Sequence, residues 1–338
     1  MSYHGLVNLG NTCYINAAIQ LLFCIPLFNK ILDNVLLNNG NNINNVPGSI
    51  LYASLHRLRN NFKNSPTHAI IRPTDFIECV HKTAKFKGSE SFKNKGQHDV
   101  HEFLLFMLDC FHESTSNITK MKIDGTSQCP TDTLAIECYT MIMSRYNKYS
   151  DIIRNFYGIS VTNIVNHRNG KLTQVPESFS ILSLPIPINV RNINTFNILD
   201  CFDLYCINET ISGDSLNKNN QMNDKCENRT KYTRFWSLPN ILIVMLNRAS
   251  MSGKNKCRIV LPLIIDLSKY IIGYNPSSYI YELYGLCNHL GGNTEGGHYV
   301  SIVKYGNTWV RIDDESCSVV YENSLFTSDT YCFIFCKK

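Results

Sequence analysis

Residues 5–26, GLVNLGNTCYINAAIQLLFCIP, pass from a loop of small and polar residues into an apolar stripe of helical period, and Cys13 stands at the junction. Tyr14, Ala17, Ala18, Leu21, Leu22 and Ile25 recur at i, i+3, i+4, i+7, i+8 and i+11, one buried helix face that Pro26 stops. Cys13 therefore sits in a first helical turn. Unpaired backbone N–H groups and the positive end of the helix dipole favour a thiolate there, which makes Cys13 a candidate nucleophile. A single cysteine near a helix start is more often structural, so the reading needs a partner base.

The far end of the chain offers one. Residues 296–314, GGHYVSIVKYGNTWVRIDD, read as a strand after Gly296-Gly297, a tight turn at Gly306-Asn307 and a return strand. With a two-residue turn, Tyr305 faces Thr308, which sets Val300 opposite Asp313 and His298 opposite Glu315. Asp313 is then the diagonal neighbour of His298 on one sheet face, at about 7–8 Å between backbones, within reach of a carboxylate that orients an imidazole. Asp314 points to the other face by parity. A bulge in either strand would reverse the choice, so Asp314 stays as a supporting candidate.

Nucleophile, base and orienter are the parts of a cysteine acyl-transfer site. Asn8, five residues before Cys13, offers an amide that with backbone N–H groups would stabilise an oxyanion. At this point the chain resembles the ubiquitin-specific proteases. Gly5 to Leu22 is similar to their cysteine box, and Tyr284 to Asp314 to their histidine box, with Trp309 and Asp313-Asp314 in the expected order. Between them Gly96 to Leu104 (GQHDVHEFL) resembles the glutamine-aspartate box. Ser150 to Gly158 (SDIIRNFYG) resembles the entry to the fingers, and Trp236 to Arg248 (WSLPNILIVMLNR) the leucine-proline strand.

The resemblance implies an α+β, papain-like cysteine protease fold with a helical thumb, β fingers and a β palm. It implies that Cys13 is the nucleophile, His298 the base, Asp313 the third member and Asn8 an oxyanion donor. Gln97, Asp99, Glu102 and Gly297 fall where the family binds ubiquitin's C-terminal tail, the acidic pair facing its arginines. The partners implied are ubiquitin and ubiquitinated proteins. The reaction needs no cofactor. The fingers depart from the family's zinc pattern of two Cys-x-x-Cys pairs. The first place reads Asn163-Ile164-Val165-Asn166 and the second Cys226-Glu227-Asn228-Arg229. Cys226 and His167 supply at most two of four ligands, so no structural metal is expected.

The chain has 338 residues, 44% of them hydrophobic, enough for one large catalytic unit. Three regions are expected within it: a helical thumb-like part over 1–155, a fingers-like part over 156–235 and a palm-like part over 236–338. Helices are expected near Ser49 to Phe62, from Asp99 to Phe111 under an Asp99/Glu102 capping box, and from Leu134 to Asn155. Loops are expected at Asn38 to Asn45 and Asp124 to Thr133. The polar segment Ser212 to Asn228 breaks the later strands. Fourteen cysteines at irregular spacing read as reduced thiols, which points to a cytoplasmic or nuclear protein. The Asn, Ile and Lys bias fits an AT-rich genome, that of a virus or an intracellular parasite. A formal charge of +5 without a basic run gives no support for nucleic acid, and no apolar stretch reaches the ~20 residues of a membrane span. Two rival readings are a catalytically silent ubiquitin-binding adaptor and a cysteine peptidase for a ubiquitin-like modifier.

Overall fold

The run Ile241–Asn247 (ILIVMLN) has six apolar residues in succession, and such a strand has to be covered on both faces. The computed structural model describes residues 3–37, 46–119, 121–187, 194–213, 227–250, 253–292 and 296–338, and places this run inside an eight-stranded sheet. The order is Ser316–Val320, Thr308–Asp313, His298–Tyr305, Ile280–Leu290, Thr330–Lys337, Ile241–Asn247 and Ile181–Pro185, with Ile264–Asp266 also paired to Ile280–Leu290. Pairing is antiparallel throughout except that Ile181–Pro185 runs parallel to Ile241–Asn247.

Alternation along the strands sorts their side chains into two cores. Ile241, Ile243, Met245, Cys332 and Ile334 face the helical core, while Leu242, Val244, Leu246, Phe333 and Phe335 face a second one. The first core draws on α1 (Cys13–Phe23), α2 (Pro26–Leu37), α3 (Pro47–Asn64), α4 (Thr74–Phe86) and α5 (Val100–Thr115). Every residue of α1 is buried, polar ones included. Gln20 Nε2 donates to the His4 carbonyl at 2.8 Å and Asn16 Nδ2 to the Leu6 carbonyl at 3.3 Å, so the segment before the helix takes up the amide donors of its two buried polar side chains.

Pro26 ends α1 as its missing N–H requires, and the same residue opens α2, where a proline is tolerated in the first turn. The two helix axes bend by 89°. Among the described residues no single helix is long and apolar enough to cross a membrane.

The fingers are a separate four-stranded antiparallel sheet, ordered Leu172–Phe179, Gly158–Asn166, Glu227–Ser237 and Glu209–Gly213. Gly170, at φ 66°, makes the turn after Asn169. Their base packs on α6 (Pro130–Arg145) through Val161, Trp236, Leu134 and Cys138.

Several expected boundaries move. The helix expected over Leu134 to Asn155 is two helices, α6 and α7 (Asp151–Phe156), because the Ser150 hydroxyl accepts the Ile153 N–H at 3.3 Å and starts a new one. The loop expected up to Thr133 gives way to α6 at Pro130, another proline in a first turn. Within the stretch assigned to the fingers, Ile181–Pro185 and α8 (Ile198–Tyr205) pack instead into the second core of the palm. The Asn-rich loop Asn38 to Asn45, most of the segment Ser212 to Asn228, and Cys226 lie outside the described residues.

Arg248 follows the buried strand and is itself only 2% exposed. Its Nε donates to the Thr330 carbonyl at 2.7 Å and its Nη1 to the carbonyls of Asn255 and Cys257 at 2.8 and 2.9 Å. Burial lowers its pKa to about 10. One guanidinium thus satisfies carbonyls from two segments that sheet pairing leaves open. Arg248→Ala should lower the unfolding free energy by about 3 kcal/mol, since it strands two buried acceptors and a third that is partly buried. Urea denaturation measures this, and Arg248→Lys, which keeps the charge but loses the fork, should recover less than half.

Candidate active site

Two chain segments almost 300 residues apart build the site, and the hairpin brings the second to the first. Thr308 pairs with Tyr305 and Ile312 with Ser301, around a turn in which Gly306 alone takes a positive φ, 61°. This register sets His298 Nε2 2.6 Å from Asp313 Oδ1. Arg311 Nη2 donates to the other oxygen, Oδ2, at 2.7 Å. Partial burial raises the Asp313 pKa, but the bonds from His298 and Arg311 outweigh it and the net shift is downward. A carboxyl depressed on folding adds stability above its unfolded pKa, and loses it as pH falls through the folded value. At neutral pH the imidazole is therefore held by an ionised partner.

Asp314 turns the other way. Its φ of 49° is left-handed, a conformation that Asp tolerates better than most residues, and it directs the carboxylate toward the amino-terminal segment. Oδ2 accepts from Asn8 Nδ2 at 2.8 Å and Oδ1 from Asn16 Nδ2 at 2.7 Å, while the Asp314 carbonyl accepts the Leu6 N–H at 2.8 Å. Asn8 Oδ1 accepts from Gly10 N at 3.0 Å and from Thr12 N at 3.3 Å. The oxygen of Asn8 is thus fixed by its own loop, and its NH₂ faces Asp314 with a second hydrogen to spare. His298, Asp313 and Asp314 have ligand-type atoms within 4.8 Å of one another. Their four carboxylate oxygens are already engaged by His298, Arg311, Asn8 and Asn16, so the cluster is a hydrogen-bonded frame and a poor cation site.

Cys13 opens α1 at the wall of this frame, 5% exposed, with the backbone N–H groups of Tyr299, Tyr14 and Cys13 itself directed at its sulfur. Tyr299 is the residue after His298. Burial is the largest influence on the thiol and raises its pKa in spite of those N–H groups. The helix terminus alone therefore does not yield the resting thiolate expected from sequence; desolvation outweighs the dipole. Proton removal falls to a base.

A cavity of about 80 Å³ lies over Cys13, and Gln97, Asp99, Gly296, Gly297 and Tyr299 line it. A Cβ on Gly297 would stand 2.3 Å from the Leu290 carbonyl oxygen and 2.4 Å from His289 Nε2, so only glycine fits there. Asp99 caps α5 through the His101 N–H at 2.6 Å and accepts the hydroxyls of Tyr331 at 2.7 Å and Tyr299 at 3.3 Å. Glu102 does not reach back to complete the expected capping box; its side chain is exposed on the first turn of α5, outside this cavity.

Sequence reasoning missed Asn16, Arg311, Tyr299, Tyr331 and His289. Asn16 carried a faint signal, a polar residue in an otherwise apolar helix. His289, 5% exposed, stacks on Tyr299 with ring centres 4.6 Å apart because the two pair directly across neighbouring strands.

The sequence profile described as ubiquitin carboxyl-terminal hydrolase matches residues 4–335. The chain is 27% identical over 339 residues to ubiquitin carboxyl-terminal hydrolase 4 of Arabidopsis thaliana, across 96% of this chain and 87% of that protein. It is 26% identical to ubiquitin carboxyl-terminal hydrolase 2 of Homo sapiens, across 97% of this chain but only 54% of the human protein, so it spans just over half of that relative. The solved SAGA DUB module Ubp8/Sgf11/Sus1/Sgf73 bound to monoubiquitin is similar in fold, with a TM-score of 0.72 at 20% identity over 99% of this chain and 69% of that one. With a profile match over nearly its whole length and a thumb, fingers and palm of α+β, papain-like form, the chain belongs to the ubiquitin carboxyl-terminal hydrolase family of cysteine-type deubiquitinases.

Proposed function

We propose that this chain hydrolyses the peptide or isopeptide bond after the C-terminal glycine of ubiquitin, with Cys13 as nucleophile, His298 as general base and acid, Asp313 as its orienter and Asn8 as an oxyanion donor. The observation that carries the reading is the 2.6 Å His298–Asp313 bond, made on the strand whose next residue, Tyr299, lines the same cavity as Cys13. Ubiquitin's Gly-Gly tail enters over Gly296 and Gly297, where the walls leave room for a backbone and little more. Asp99 is spent on His101, Tyr299 and Tyr331, which leaves Glu102 as the acidic group for a tail arginine and Gln97 for the tail backbone.

His298 takes the thiol proton, the sulfur attacks the glycine carbonyl, and the oxyanion meets the spare Asn8 hydrogen and backbone N–H groups. His298 then protonates the leaving amine. A thioester remains, and water activated by the same imidazole releases ubiquitin. Asp314 supports this as a positioning residue, through Asn8.

A ubiquitin carrying a C-terminal electrophile should form a covalent adduct with the chain and none with Cys13→Ala. Binding without an adduct in the parent chain would make it an adaptor. Asn8→Ala and Asp314→Ala should each lower kcat by about 100-fold with little change in KM. Their double variant should lose scarcely more than either alone, because one acts through the other. Additive losses would separate them. For the free protein, the rate of Cys13 alkylation by iodoacetamide should be low near about pH 7 and climb into the alkaline range, as a buried, raised thiol requires. A rate already level at neutral pH would indicate a preformed thiolate.

A further inference from the structure

A second cavity, of about 430 Å³, has Asn8 in its wall and shares no lining residue with the one over Cys13. Asn8 and Leu9 form one wall; Arg72, Glu78, His81 and Lys95 contribute to the rest. Its position follows from local structure. Gly5–Leu6 pairs in parallel with Ile70–Ile71, and the Val7 N–H bonds the Ile71 carbonyl at 2.9 Å, which sets Arg72 beside the Val7–Asn8 loop. From the opposite side, Asn11 Nδ2 bonds the Lys95 carbonyl at 3.1 Å. Two cations therefore flank the loop that carries the oxyanion donor.

The charge there is uneven. Glu78 is shared with Lys82 at 3.6 Å, and His81 Nδ1 is engaged with the Phe92 carbonyl at 2.7 Å. Arg72 and Lys95 are exposed, and among the described residues neither has an ion-pair partner. At a tetrahedral centre on Cys13 the acyl chain and the leaving amine depart in different directions. The glycine-walled passage takes the ubiquitin tail. The cavity walled by Asn8, whose amide bonds the Asp314 carboxylate of the site, offers room for the amine and the polypeptide that bears it.

Resting on the hydrolase reading above, we propose that this cavity is the leaving-side subsite and that it selects acceptor lysines flanked by acidic residues, Arg72 and Lys95 receiving the flanking carboxylates. Most of the binding energy of such a substrate comes from ubiquitin, so the cavity acts on the choice among acceptors.

The test uses ubiquitin joined to the lysine ε-amine of three peptides whose flanking residues are Glu, Gly or Lys, beside a ubiquitin–aminocoumarin reporter that has no acceptor peptide. The Glu-flanked conjugate should be cleaved with kcat/KM about threefold to tenfold above the Gly-flanked one at low salt, and the gap should shrink as salt screens it. Arg72→Glu/Lys95→Glu should reverse the order between Glu- and Lys-flanked conjugates and leave reporter hydrolysis unchanged. Equal rates on all three peptides with normal reporter turnover would overturn the proposal alone. So would an acidic preference that survives in the double variant. No turnover of the reporter would overturn the hydrolase reading and this proposal with it.

Discussion

The carboxylate of Asp314 joins the two ends of the chain. Its bonds to Asn8 and Asn16 span sequence separations of 306 and 298 residues, and both lie beside the thiol. Asn16 is inside a buried helix and needs an acceptor there, and Asn8, whose oxygen is held by its own loop, turns its amide NH₂ to the same carboxylate. Asp313, one residue earlier, faces the imidazole through the register of its strand, and the left-handed backbone begins only at Asp314. Two adjacent carboxylates are thus divided between the imidazole of His298 and the amides of Asn8 and Asn16.

This local division depends on the sheet behind it. The His298–Tyr305 strand is held between Ile280–Leu290 and Thr308–Asp313, and its buried side chains divide between the two cores, Val303 to the helices and Ile302 to the far side. Side chains packed from both faces leave the strand little freedom to twist or slide. The imidazole inherits that rigidity. The acidic residue Asp99 extends it, since its bonds to Tyr299 and Tyr331 tie the start of α5 to two strands of the palm.

Much of this was readable in advance where a periodic pattern met a specific turn signal. The Cys13 stripe and the hairpin at Gly306-Asn307 each combine period and punctuation within twenty residues, and such local chemistry fixes local geometry. The α+β class followed from them and from the family boxes. α2 was not legible because Pro26 was read as a stop alone, while the residue serves equally well as a start. α4 was passed over although Phe76, Ile77, Val80 and Ala84 keep a helical spacing. α6 shows little of a stripe, only Leu134, Ala135 and Cys138 being buried, so its end at Arg145 escapes periodicity, and α7 starts separately under the Ser150 cap. Within the site, residues with chemistry of their own could be picked out, whereas Asn16, Arg311 and Tyr331 acquire a role only through a neighbour that folding brings near. The desolvation that raises the Cys13 thiol is likewise a property of packing and has no signature in the residues around it.

The complete burial of α1 bears on how the molecule is made. Two of the strands it packs against, Ile280–Leu290 and His298–Tyr305, lie far along the sequence from it. Until those strands emerge, a run of apolar side chains around a thiol has no permanent cover and is prone to stray association. The burial of the Cys13 thiol is therefore tied to assembly of the palm sheet, and the helix that bears it acquires its cover only when strands distant in sequence have docked.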